Sequence, residues 1–438
     1  MFIRPFVVGL NRYLFVAMLS VAGFASLSAN GASRFGFAQV GRPSFFPIMP
    51  WDPQHGWSKP VVNETSGLDT IAECNFNMAG FVLPQDLARC KKLGLGAIVL
   101  PADPAFTSFD YFRQWKGLSD LEIERRVQRM IRAAGRNPAV ADFFLTDEPS
   151  VTEFAALGKA VAAVKKYAPG KLAYINLFPD YATLGAPDKS QLGTSNYTDY
   201  LERFVAEVKP QCLSYDNYMV QYSMDLRERE KAAGYFRNLL EVRRVAQKHH
   251  LPCLQIVACN QIRPGHPIPS LANLLFQAYT TLAAGYRGVT WYTYYGRGYD
   301  YAPVGMDGQK TLTWEYLKEV NRQIATLAPV LSRLRATDVF FTAPALSSDL
   351  PISPGNVLAG VTSETPLMVG EFSDAAGAAY AMVVNLSLER SAKIVLQPRE
   401  SGPKVEIISA VDGRAKPIDL AKQELWLNAG QGLLVVFK

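Results

Sequence analysis

The sequence predicts a (β/α)8 barrel followed by a small all-β sandwich. Three observations lead there. Short apolar runs alternate with amphipathic segments eight times between Phe45 and about Leu334. That alternation stops near Ala336, where short strand-like runs separated by turn residues take over. An open doubly wound sheet would normally carry a glycine-rich phosphate turn after its first strand, and here the position reads Trp51-Asp52-Pro53-Gln54. Eight such units in about 290 residues match the size and rhythm of a barrel.

The expected strands are Phe45–Met49, Gly80–Leu83, Ala97–Leu100, Val140–Leu145, Leu172–Leu177, Cys212–Tyr215, Cys253–Ala258 and Val289–Tyr292. Each is short and apolar next to turn signals, as strands of a parallel sheet buried on both faces are. Helices are expected around Asp69–Cys74, Gln85–Leu93, Ser119–Ala134, Phe154–Tyr167, Tyr197–Val208, Tyr235–His249, Leu271–Ala284 and Leu312–Leu334. Ser119 with Glu122, and Ser150 with Glu153, have the spacing of capping boxes. Beyond the barrel (residues 45–335) the expected strands are Tyr380–Asn385, Lys393–Leu396, Val405–Ser409, Glu424–Leu427 and Gly432–Phe437, in a sandwich over residues 336–438.

Before the barrel, Arg4 and Arg12 precede an apolar run from Tyr13 to about Leu27, then Ser28-Ala29-Asn30-Gly31-Ala32. That order is the one of a secretory signal. The run of about 15 residues is short for a span needing roughly 20. The expectation is a leader over 1–29, a loop over 30–44, and a soluble protein that is secreted or periplasmic after cleavage, with no stable membrane insertion. The formal charge of +6 falls to +4 without Arg4 and Arg12, since residues 1–29 contain no acid. The basic residues are dispersed, which argues against nucleic-acid binding. Hydrophobic residues at 49% and charged residues at 19% describe a globular chain.

Five cysteines (Cys74, Cys90, Cys212, Cys253, Cys259) are an odd, sparse set, read as mostly buried apolar side chains, with a Cys74–Cys90 bridge as the one pairing to consider. The four histidines lack metal-ligand spacing, so neither a metal nor another cofactor is expected.

The chemistry is expected at the C-terminal ends of the barrel strands, where active sites of this fold lie. Strand four runs into Thr146-Asp147-Glu148-Pro149. Charged groups there either catalyse or cap the next helix. The other strand ends provide Trp51 and Asp52, Asn176, Tyr215 with Asp216 and Tyr218, Gln255 and Asn260, then Trp291, Tyr292 and Tyr294. This acidic, amide and aromatic set lacks a phosphate clamp and a nucleophile–histidine pair. Carboxylates beside aromatic rings and amides suit a carbohydrate substrate and glycosidic bond cleavage.

With Thr146-Asp147-Glu148-Pro149 after strand four and Gly288-Val289-Thr290-Trp291-Tyr292 at strand eight, the chain resembles barrel glycoside hydrolases of the clan-A-like superfamily. Those enzymes carry Asn-Glu-Pro at strand four, and the resemblance implies that Glu148 is the acid/base, with Asp147 in place of the asparagine. They also place a glutamate nucleophile at the end of strand seven. Here that stretch reads Leu254-Gln255-Ile256-Val257-Ala258-Cys259-Asn260-Gln261, without a carboxylate. Asp216 is the leading candidate for the second acid. The Asp-Glu pair is also similar to that of glycosidases using the substrate's own 2-acetamido group, which would make Asp147 an orienting partner supported by Tyr215 or Asp216. The missing strand-seven acid keeps open a non-catalytic carbohydrate-binding protein on a degenerate barrel. An exported lyase or isomerase is a third reading.

Overall fold

Eight parallel strands form the inner wall: β1 (Ile48–Pro50), β2 (Met78–Val82), β3 (Gly96–Val99), β4 (Val140–Asp147), β5 (Leu172–Asn176), β6 (Leu213–Asp216), β7 (Cys253–Ala258) and β8 (Val289–Tyr292). The computed structural model describes residues 46–51, 64–100, 115–184, 190–219, 228–296, 299–342 and 346–438. All of these belong to one compact unit, Ser33–Lys438. The expected leader and Asp52 lie outside the described residues. Ladders join β1-β8-β7-β6 and β2-β3-β4-β5. The bridges Trp51–Gly80 and Leu177–Tyr215 link the two halves into a closed barrel.

The helices are α1 (Glu64–Glu73), α2 (Leu87–Leu93), α3 (Asp120–Ala134), α4 (Phe154–Tyr167), α5 (Tyr197–Arg203), α6 (Arg229–Lys248), α7 (Leu271–Ala283) and α8 (Leu312–Leu331). All eight expected pairs are present, with boundaries shifted mostly at helix ends. At α3 the Ser119 N–H donates to Glu122 Oε2 at 2.7 Å and Ser119 Oγ accepts from the Glu122 N–H at 3.4 Å. Two donors that the helix cannot satisfy itself are thereby occupied. After Arg203, α5 passes into a π turn over Phe204–Val208, and Lys209 ends it in the left-handed region at φ 55°.

Alternate residues of each strand face opposite ways, and this divides the apolar side chains into two layers. Met49, Trp51, Met78, Phe81, Ile98, Phe144, Tyr174, Leu254 and Ile256 fill the barrel interior. Ile48, Ala79, Ala97, Phe143, Ala173, Tyr215, Val257 and Trp291 face the helices.

Nine antiparallel strands follow: β9 (Arg335–Phe341), β10 (Leu358–Ser363), β11 (Leu367–Ser373), β12 (Ala379–Asn385), β13 (Ala392–Pro398), β14 (Val405–Ile408), β15 (Ala415–Ile418), β16 (Leu425–Leu427) and β17 (Gly432–Phe437). One sheet has the order β15-β14-β17-β12-β11-β9 and the other β10-β13-β16. Their facing sides enclose a separate core with Val369, Val383, Ile394 and Val435. The opposite side of the larger sheet, with Met368, Phe372, Met382 and Leu434, joins the outer core of the barrel.

Helix α7 lies at that junction and is buried from Asn273 to Ala283. It is buried around its circumference because both sides are covered, and its polar side chains Asn273, Gln277, Thr280 and Thr281 are hydrogen-bonded within the protein. The approach is close enough to dictate glycine: a Cβ on Gly370 would stand 1.8 Å from the Ala283 carbonyl oxygen. The five cysteines are buried and free, so Cys74 and Cys90 are not bridged. Among the described residues no helix is long and apolar enough to cross a membrane.

Candidate active site

Strand β4 delivers Asp147 and Glu148 to the C-terminal rim of the barrel. Glu148 adopts φ 46°, a left-handed conformation that costs a side-chain-bearing residue of order 1 kcal/mol or more. The Glu148 N–H donates to the Asn176 carbonyl at 2.9 Å, which fixes this turn against β5. Neither acid caps the next helix. That task falls to Ser150, whose Oγ accepts from the Thr152 N–H at 3.3 Å, and to Glu153, whose Oε1 accepts from the Ser150 N–H at 3.3 Å. Asp147 and Glu148 are left to project at the rim.

Asn176 ends β5 and faces inward. Its side-chain NH2 donates to Asp147 Oδ1 at 3.0 Å and to Asp216 Oδ1 at 2.8 Å. Its oxygen accepts from Ser214 Oγ at 3.1 Å, and Ser214 Oγ lies 2.6 Å from the Tyr174 hydroxyl. The chemistry orients the amide, since carboxylate oxygens require donors and only the NH2 end has them. A chain from Tyr174 through Ser214 therefore holds Asn176, and Asn176 holds two carboxyls. The carboxyl of Glu148 completes the cluster through a hydrogen bond with Asp216.

Three carboxyl groups so close cannot all ionise. Burial raises the pKa of Asp147, against the pull of the Asn176 donor. Burial, then the charge of Asp147, raises Asp216, again opposed by Asn176. Glu148 is raised by burial, then by the charges of Asp216 and Asp147. Asn176 donates to both aspartates and not to Glu148, so the proton retained near neutral pH belongs on Glu148.

Two tyrosines complete the inner rim. The rings of Tyr218 and Tyr292 stack at 5.3 Å, and the Tyr292 hydroxyl lies 3.0 Å from that of Tyr299. Both Tyr218 and Tyr292 pack on the interior apolar cluster. The structure thus brings together Asp147, Glu148, Asn176, Asp216, Tyr218 and Tyr292.

Other expected site residues are placed elsewhere, mostly by strand parity. Asp216 faces in, so Tyr215 faces out, its ring 6.2 Å from Tyr286. Gln255 also turns to the helix layer, where its Oε1 accepts from Thr281 Oγ1 at 2.6 Å. Trp291 donates from Nε1 to Asn321 Oδ1 at 2.9 Å on α8. The Tyr294 hydroxyl accepts from Trp314 Nε1 at 2.9 Å, also on α8. Asn260 fastens two loops, accepting from the Thr293 N–H at 3.0 Å. Trp51 does face inward, but it is only 3% exposed and sits 4.5 Å from Phe81 as part of the interior packing. Tyr174 and Ser214 escaped the sequence reading. Counting back by two from Asn176 and Asp216 finds both.

No family model matches the chain, and no curated protein matches it. Solved structures do. A catalytic mutant of Gan42B, a GH42 β-galactosidase from G. stearothermophilus, is 9% identical with a TM-score of 0.59, and the match covers 90% of this chain and 98% of that one. Gan42B itself matches with the same identity and score over 89% and 98%. The GH51 arabinofuranosidase from Xanthomonas axonopodis pv. citri is 11% identical with a TM-score of 0.46, covering 91% and 97%. At this identity the likeness to Gan42B is one of fold.

Proposed function

We propose that the protein is an exported glycoside hydrolase acting on an oligo- or polysaccharide, with Glu148 as the general acid. The observation that carries this is the gathering of Asp147, Glu148 and Asp216 at one barrel rim, with a donor placed on the two aspartates only. Cleaving a glycosidic bond requires a proton for the departing oxygen, and a carboxyl whose pKa is raised still holds one at neutral pH. Positive charge develops on the sugar ring in the transition state, and an ionised aspartate beside it stabilises that charge. Asp216 takes this role, and Asn176 is its positioning residue. Tyr218 and Tyr292 offer ring faces to the sugar. The leader supports export, and the GH42 β-galactosidase fold match fits a carbohydrate substrate.

A second reading concerns the nucleophile. An inverting pair stands about 6.5–9.5 Å apart to admit water, whereas Glu148 and Asp216 are near enough for each to act on the other's proton. The last residue of β7 is Ala258, so no acid approaches from that strand. Attack by the substrate's own 2-acetamido group fits this arrangement, with Asp147 orienting it and Tyr218, rather than the outward-facing Tyr215, in support.

A screen of aryl glycosides and polysaccharides with product analysis, run beside Glu148→Gln, tests both. The variant folds normally and loses at least about a hundredfold in rate, the scale of a general-acid contribution. Undiminished turnover by the variant removes the assignment. Turnover confined to 2-acetamido sugars selects the substrate-assisted route.

A further inference from the structure

At the far end of the barrel from the carboxyl cluster, a cavity of about 900 Å3 lies between the N-terminal ends of β6, β7 and β8 and the first residues of β9. Its lining includes Arg243, Arg287, Arg335, Gln211 and Thr337, and no carboxylate. Buried polar atoms in folded proteins nearly always have a partner. Here Arg243 Nη2, Gln211 Oε1 and Thr337 Oγ1 are buried without one, and all three residues line this cavity.

The donors determine what could satisfy them. A guanidinium only donates, a hydroxyl donates or accepts, and a primary amide can present either end. Arg287 is committed to the Leu331 and Leu334 carbonyls, and Arg243 Nε donates to Ala284 O at 3.1 Å. Nη2 of Arg243 is left over. The helix ends do not cancel the charge. The C-termini of α6, α7 and α8 border the cavity, and each carries about half a negative charge. Together with the Asp338 carboxylate, which acts on Arg243 from outside the lining, they offset part of the three guanidinium charges. Water could satisfy a lone donor but would leave the remainder in place. Burial lowers the pKa of both Arg243 and Arg287, the direction that a bound anion reverses.

We infer that this cavity is a binding site for an oxyanion, the carboxylate, sulfate or phosphate group of a small molecule, held by Arg243 and Thr337 with exposed Arg335 at the opening. The site is separate from the carboxyl cluster and does not depend on what that cluster catalyses.

The test uses the full chain in calorimetric titration and thermal unfolding. The probes are sodium sulfate, inorganic phosphate and D-glucuronate, each compared with sodium chloride at matched ionic strength. At least one probe binds saturably in a one-to-one ratio and raises the unfolding temperature. Arg243→Met weakens that binding ten- to a hundredfold, as loss of a charge-assisted hydrogen bond does. Arg335→Ala removes an exposed side chain, so it folds as the parent does and weakens binding up to about fivefold; it keeps the test open if Arg243→Met does not fold. Preference for glucuronate identifies a sugar acid, and preference for the inorganic ions identifies free sulfate or phosphate. Responses equal to chloride for all three probes, or binding unchanged in the variants that fold, overturn the inference.

Discussion

Replacing Glu148 with glutamine changes how stability depends on pH, and the sign follows from where the proton resides. In the unfolded chain a glutamate ionises near pH 4. In the folded site burial and two neighbouring aspartates hold the Glu148 proton well above that. Between those limits the folded state binds more protons than the unfolded state, so stability falls as pH rises. The stability is fully present below the unfolded value and is lost until the folded group itself ionises. One retained proton corresponds to about 1.4 kcal/mol per pH unit, or about 3 kcal/mol between pH 5.5 and 7.5. Glu148→Gln removes this titration. Urea unfolding at pH 5.5, 6.5 and 7.5, at constant ionic strength, should show the variant gaining about 2–3 kcal/mol on the parent across the interval. For a chain of this size that corresponds to about 3 °C in Tm. Parallel stability curves for the two proteins would refute the placement of the proton on Glu148.

Asn176→Ala strips a donor from each of two carboxyls and an acceptor from Ser214. It should cost about 1–3 kcal/mol by denaturant titration and shift the pH–rate profile, and an unchanged profile would make Asn176 merely structural. Gly370→Val places a side chain against the Ala283 carbonyl, which stands 1.8 Å from the Cβ position. Calorimetry should register a loss of about 3 kcal/mol or more, since strand and helix are both immobilised by their cores; a variant as stable as the parent would contradict that packing. Ser119→Ala removes the cap of α3 and should cost about 1 kcal/mol by denaturant titration.

The barrel was legible because buried parallel strands declare themselves as short apolar runs. The sandwich was half legible for reasons that lie in tertiary contacts. Strand β11 reads Leu-Met-Val-Gly-Glu-Phe-Ser, a run interrupted by the two residues its neighbours require. Gly370 is there because α7 leaves no room for a Cβ. Glu371 is there because its buried carboxylate accepts from the N–H groups of Asn356, Val357 and Leu358 at 2.6, 3.0 and 2.9 Å. Neither partner is adjacent in sequence. Strand β9 begins with Arg335-Ala336-Thr337-Asp338, a largely polar stretch whose first three residues line the lower cavity, and it was missed for the same reason.

The acids of the candidate site were legible, and of its expected aromatics Tyr218 and Tyr292 stand beside them while others lie elsewhere. Asp147, Glu148, Asn176 and Asp216 stand where the strand ends imply. Tyr215, Gln255, Trp291 and Tyr294 were collected because they lie near a strand terminus, yet a single step along a strand reverses the side-chain direction. The parity was available in the sequence once Asp216 was taken to face inward. The left-handed turn at Glu148 was not, since its conformation depends on the bond its N–H makes to Asn176 on the next strand.

The buried cylinder formed by α7 turns no side to water. A shortened protein stopping after α8 would bare the flank that Met368, Met382 and Leu434 now cover, and such an exposed flank drives self-association. The tail is therefore no exchangeable module that evolution or an engineer could swap among barrels. The two halves should melt together and be inherited together, with changes in one felt by the other through a shared wall.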